Sequence, residues 1–131
     1  MARVRMILSA LWVARMLSSL QGDTMRLSDP VMLKELVGGT AEVPITEAML
    51  LGFSVILAVP ILMSFLSLTL KYPTVRWANL IVGTFFVLFE LYFMFTFYLQ
   101  GPAYEIFWGI AYLSFALLVV WHAWHWPKQE A

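Results

Sequence analysis

The sequence predicts an all-α membrane protein: a four-transmembrane-helix bundle with a short amphipathic helix in its first external loop. Three observations predict this. Of 131 residues, 62% are hydrophobic and 12% charged, about half the charged share of a soluble domain. Four segments are long enough to cross a hydrocarbon core of ~30 Å, which takes about 20 helical residues. Lys and Arg also gather at alternate ends of those segments, as the positive-inside bias requires. One domain accounts for the whole length.

The first span runs from about residue 4 to 27 and is the most polar. Met1–Arg5 resembles the basic start of a signal peptide, but no small-residue cleavage site follows and Arg15 interrupts the apolar run, so it reads as a retained helix. Residues 28–45 form the only sizeable loop. Within it, Asp29 caps a short helix at about 30–37, Pro30 takes the first position and Gly38 ends it. Its apolar residues place it at the bundle mouth or the interface, as a structured connector in preference to a gating lid.

The second span covers about 46–71, with Thr46 as N-cap and Glu47 in the first turn. Lys71-Tyr72-Pro73 breaks it from the third, about 74–99. Gly101-Pro102 turns the chain into the fourth, about 103–126, closed by Pro127. Arg3, Arg5, Lys71, Arg76 and Lys128 fall on one side. Arg26 and Lys34 fall on the other, among Asp23, Asp29, Glu35, Glu42 and Glu47. Both termini are therefore expected to be cytoplasmic in a bacterial inner membrane. Trp77, Trp121, Trp124 and Trp126 would form an inner aromatic belt, and Tyr98, Tyr104 and Trp108 an outer one.

The polar residues inside the spans carry the functional question. Glu90 stands in a Phe-rich helix, and ionisable groups at such depth are rare and mark candidate sites. Helical spacing lines up Ser9, Trp12, Arg15, Ser19, Gly22, Asp23 and Arg26 on the first helix. On the third it lines up Asn79, Gly83, Phe86, Glu90, Phe93 and Phe97. On the fourth it lines up Glu105, Trp108, Tyr112, Phe115, Val119 and His122. Arg15 lies roughly 15 Å above Arg5, and Glu90 roughly 21 Å above Arg76. Arg15, Glu90 and Tyr112 are thus expected to converge near the midplane, with Asp23, Arg26 and Glu105 at the outer mouth. Pro60 frees a backbone carbonyl near the same depth, a further polar contact for the site.

The Arg15–Glu90 pair has two readings: a salt bridge that sets helix register, or the floor of a pocket for a polar or anionic head group or a proton-coupled site. The candidate pocket residues are Arg15, Glu90, Tyr112, Asp23, Ser19 and Asn79. Ten Phe residues would either pack the bundle or wall a pocket for a lipophilic tail. His122 and His125 share a face, but no third His exists, so they read as interfacial and not as metal or haem ligands. No metal and no cofactor is expected. With no cysteine, disulfides and thiol chemistry are excluded. A net charge of zero argues against nucleic acid as a partner, and familiar catalytic motifs are absent.

Leu11-Trp12, Asp29-Pro-Val-Met-Leu-Lys-Glu-Leu36, Leu70-Lys-Tyr72 with Arg76-Trp-Ala-Asn79, and Trp121-His-Ala-Trp-His-Trp126 resemble a family of bacterial four-helix membrane proteins of unknown function, distantly similar to DoxX-like proteins. The resemblance spans nearly the whole chain and implies a fold but no activity. It marks Asp23, Asp29, Pro60, Lys71, Tyr72, Arg76, Trp77 and Asn79 as family positions. Ala58 and Tyr112 stand where the resemblance implies acids, and Arg15 and Glu90 look peculiar to this chain.

Three functions are compatible with these features. The first is a non-enzymatic module that binds a lipid, quinone-like or other amphiphilic molecule, or serves as an accessory subunit. The second is a small transporter or channel using Glu90 and Arg15. The third is a membrane enzyme with Glu90 and Tyr112 as acid and base. The expected partners are the lipid bilayer, an amphiphilic small molecule, and further copies of the chain or other subunits of a membrane complex.

Overall fold

The computed structural model describes residues 2–38 and 46–126, and they are helical almost throughout, with no strand among them. The helices are α1 (Ala2–Ser28), α2 (Pro30–Gly38), α3 (Glu47–Thr69), α4 (Thr74–Thr96) and α5 (Ala103–Trp124), with a 3-10 turn at Tyr98–Gln100. Glu42, Pro127 and Lys128, used above for orientation and helix closure, lie outside the described residues.

Local chemistry accounts for the helix starts. Thr46 is extended, and its hydroxyl accepts from Met49 N at 3.2 Å. Asp29 Oδ1 accepts from Val31 N at 3.0 Å ahead of Pro30. Each side chain satisfies one backbone donor that a helix start leaves open.

The helix ends differ from expectation by one to three residues. α3 stops at Thr69, where Leu70 turns extended. α4 stops at Thr96 and tightens into the 3-10 turn, with Gly101 N bonded to Tyr98 O at 3.1 Å. The chain must reverse at Gly101-Pro102, and a tighter last turn shortens the path. α5 stops at Trp124, two residues early. Trp126 precedes a proline, and such a residue is pushed out of the helical region.

The four long helices pack around the bundle in the order α3, α1, α5, α4. α1 is antiparallel to both its neighbours, and α3 and α4 barely touch, which leaves a seam between them. Small residues let α4 and α5 approach closely: a Cβ at Gly83 would meet Val120 Cγ2 at 3.0 Å, and one at Gly109 would meet Tyr98 Cδ2 at 2.6 Å. Small residues at a helix interface are a common route to tight packing in lipid.

Polarity is inverted relative to a water-soluble bundle. Arg15, Glu90, Asn79, Ser67 and Ser18 are buried, while Leu17, Leu51, Phe65, Ile81, Leu88, Phe95 and Phe107 are exposed. Hydroxyls on outer faces bond back into their own helices: Thr24 to Leu20 O at 2.9 Å, and Thr69 to Phe65 O at 3.2 Å. A surface that needs no water for its polar groups suits hydrocarbon. Three helices are long and apolar enough to cross a membrane: Glu47–Thr69, Thr74–Gln100 and Ala103–Trp124. α1 has the length but carries Arg3, Arg5, Arg15, Asp23 and Arg26.

Two belt residues are corrected. Tyr98 is buried against Met94 and Tyr112, and Trp126 is buried near Tyr72, with ring centroids 5.7 Å apart. Both are large rings at points where the chain turns inward, and packing takes them. On α5 the buried face is Gly109, Tyr112, Ala116, Val119 and Ala123. Ala116 and Ala123 thus replace Phe115 and His122 of the expected stripe, because α1 and α4 approach too closely for the larger side chains.

Candidate functional site

The polar face of α1 meets a different partner at each turn. At the basic end, Arg5 donates to the carbonyls of Leu70 and Ser67, closing the C-terminus of α3. Ser9 donates to Ser64 O at 2.8 Å. One turn further, Trp12 Nε1 donates to Asn79 Oδ1 at 2.7 Å. Asn79 also accepts from Ser67 Oγ at 3.3 Å and donates to Val75 O at 2.8 Å. This cluster is fully buried and its members satisfy one another.

Arg15 follows, paired with Glu90 through Nη2 and Oε1. Both side chains are 2% exposed. The guanidinium carbon lies 4.5 Å from the Phe86 ring centroid and 5.8 Å from that of Tyr112, so two aromatic faces supplement the carboxylate. The pairing is incomplete. Arg15 Nε, Arg15 Nη1 and Glu90 Oε2 are buried and have no hydrogen-bond partner among the described residues. Buried polar atoms are seldom left so. The carbonyl freed by Pro60 does not supply the missing acceptor: among the described residues Arg15 bonds Glu90 alone.

Beside this pair lies a cavity of about 520 Å³. α1 contributes Arg15, Ser19, Asp23 and Arg26; α4 contributes Phe89, Glu90 and Phe93; α5 contributes Tyr112, with Tyr98 just before it. α3 supplies Leu50, Phe53, Ser54 and Leu57 across the seam. Phe53 and Phe93 meet edge to face at 6.3 Å, bridging α3 and α4 where little else does. On the basic side of the pair, Trp12 and Phe86 are fully buried and pack edge to face at 5.7 Å.

At the end of the cavity away from Trp12, Arg26 donates to Asp23 at 3.0 Å and to Glu105 at 3.1 Å. Tyr104 Oη donates to Asp29 Oδ2 at 2.7 Å, tying α5 to the start of α2. The hydroxyl of Tyr112 rests against Gly22, where a Cβ would collide with it.

Five of the six residues singled out from sequence therefore line one cavity: Arg15, Ser19, Asp23, Glu90 and Tyr112. Asn79 does not; it lies three turns below Glu90 in the Trp12–Ser67 cluster. The whole α3 wall and Tyr98 escaped sequence reasoning. α3 is apolar on every side, so periodicity offers no signal for its inner face. His122 and His125 each donate Nδ1 to a carbonyl of their own helix, Leu118 O and Trp121 O, both at 2.9 Å.

A small, inside-out helical protein with helices fit to cross a membrane and a half-satisfied ion pair beside a cavity is the class these features define. The chain belongs to DUF6326, a family of unknown function, whose model matches residues 2–131. No curated protein and no solved structure matches it, and nothing in the family match bears on the DoxX-like resemblance.

Proposed function

We propose that the protein is a four-span module of the bacterial inner membrane that binds an amphiphilic small molecule between α1, α3, α4 and α5. The observation that carries this reading is the cavity of about 520 Å³, apolar along the α3–α4 seam and polar at Arg15–Glu90. That volume lies in the range of small-molecule sites, roughly 300–1,000 Å³. The unpartnered atoms of Arg15 and Glu90 support the reading, since a pair that only set helix register would gain by satisfying them.

Support for α1 as the fourth span comes from its two faces. Met6, Val13, Leu17 and Leu20 are exposed, while its charged Arg15 is buried against α4. Arg3, Arg5, Lys71 and Arg76 at one end favour that end as the cytoplasmic side. On this orientation the cavity sits in the outer half of the bilayer. The Trp12–Phe86 floor favours a binding site over a conducting path.

Native mass spectrometry of the protein released from its own membranes tests the proposal. The wild type is expected to carry one retained small molecule per protomer. Ser54→Trp, which fills the cavity from the exposed α3 face, is expected to lose it. Ile81→Trp, on an exposed face away from the cavity, is expected to keep it. Bare wild-type protomers, or equal retention in Ser54→Trp, would contradict the proposal.

A further inference from the structure

The ligand class follows from which groups in the cavity already have a partner, and the argument rests on the binding reading above. Two cations line the cavity, Arg15 and Arg26. Each is already matched: Arg15 by Glu90, and Arg26 by both Asp23 and Glu105. A phosphate or carboxylate head entering here would find no uncompensated positive charge, and it would face the carboxylates of Asp23 and Glu90 in the cavity lining.

Hydrogen-bonding capacity remains open where charge does not. Among the described residues, Arg15 Nε and Nη1 are donors without acceptors, and Glu90 Oε2 is an acceptor without a donor. All three belong to side chains almost wholly buried. The group that completes them must accept from the guanidinium and donate to the carboxylate at the same time. A hydroxyl, a diol or a primary amide does both while remaining uncharged. The seam beside it is walled by Phe53, Phe89, Phe93 and Leu57, which suits an acyl chain or other apolar body. Because α3 and α4 barely touch, the seam faces the lipid, and such a molecule can enter sideways from the bilayer.

We propose that the Arg15–Glu90 cavity is selective for an uncharged amphiphile with a hydroxyl- or amide-bearing head, of the monoacylglycerol type, over lipids with anionic heads. Glu90 is the selectivity element. It holds Arg15 neutralised, so the head is recognised by hydrogen bonds and an anionic competitor is rejected by the carboxylate.

The test uses the full chain in an uncharged detergent, delipidated, titrated with monooleoylglycerol or dioleoylphosphatidylglycerol and read by native mass spectrometry. The wild type is expected to bind monooleoylglycerol at least tenfold more tightly. Glu90→Gln removes the carboxylate and leaves Arg15 uncompensated, so its preference is expected to shift at least tenfold toward phosphatidylglycerol. Arg15→Gln/Glu90→Gln, in which the buried pair carries no charge, is expected to retain the preference for monooleoylglycerol. A wild type that binds the anionic lipid as well as the neutral one, or better, overturns the selectivity. So does a folded Glu90→Gln protein with unchanged preference. The wild-type comparison stands alone if Glu90→Gln fails to fold. Failure of the binding site itself would look different: neither lipid held by the wild type, or both held equally by Ser54→Trp.

Discussion

At the scale of single residues, Arg15 and Glu90 form a buried salt bridge, with the buried rings of Trp12 and Phe86 packed on its basic side. Removing one member of a buried pair costs more than the pair contributes, because the survivor keeps its charge without compensation. Glu90→Gln is therefore expected to destabilise the purified protein by about 3 kcal/mol. The loss should be much smaller in an Arg15→Met background, and unfolding in graded denaturant measures both. Purely additive effects would show that the two side chains are not coupled. The Asn79 cluster behaves differently, since it is neutral and satisfied. Asn79→Leu leaves Trp12 Nε1 and Ser67 Oγ without an acceptor, and about 2 kcal/mol should be lost. Its ligand content should be unchanged, because Asn79 does not line the cavity.

At the scale of elements, α1 is a ladder of polar steps and α5 is its counterpart of small residues. At Gly22 the two come close together, with the Tyr112 hydroxyl against the glycine. Alanine is the better helix former by roughly 1 kcal/mol, yet Gly22→Ala is expected to lower the melting temperature of the wild type, since overpacking costs about 1–3 kcal/mol. In a Tyr112→Phe background the colliding oxygen is gone and the ring carbon Cζ, at 2.9 Å, is the remaining close contact, so the same substitution should cost much less. The basic residues at the other end serve as helix caps as well as topology signals: Arg5 closes α3, and Arg76 donates to Ala123 O at 3.1 Å and to Trp124 O at 3.2 Å, closing α5. Cations at helix C-termini satisfy open carbonyls and complement the dipole.

Helix starts were legible in the sequence because Thr46, Asp29 and Pro30 act locally. The level shared by Arg15 and Glu90 was legible because a helix rises by a constant step. The α3 wall was not. Leu50, Phe53, Ser54 and Leu57 differ little in polarity from the rest of α3, and which helix stands beside which is a property of packing and not of any one helix. The incomplete bonding of Arg15 was hidden for the same reason, since the Pro60 carbonyl looked available from depth alone.

At the scale of the whole molecule, the surface is apolar, a charged pair is buried within a largely apolar interior, and the cavity beside that pair lies along the seam between α3 and α4. Topology is open to a direct check, because the chain has no cysteine. Ser28→Cys and Lys71→Cys are exposed positions at opposite ends of the bundle. A membrane-impermeant maleimide should label Ser28→Cys in cells with a permeabilised outer membrane and Lys71→Cys only after lysis. Labelling of both before lysis, or the reverse order, would contradict four spans with cytoplasmic termini.

The central claim is that the space beside Arg15 and Glu90 holds a molecule. A density map of the protein purified with its native lipids tests it most directly. The account predicts elongated density along Phe53, Phe89 and Phe93, ending in a polar group within hydrogen-bond distance of Arg15 Nε or Nη1 and of Glu90 Oε2. Ordered water alone at those atoms, or a collapsed seam with α3 packed onto α4, would contradict it.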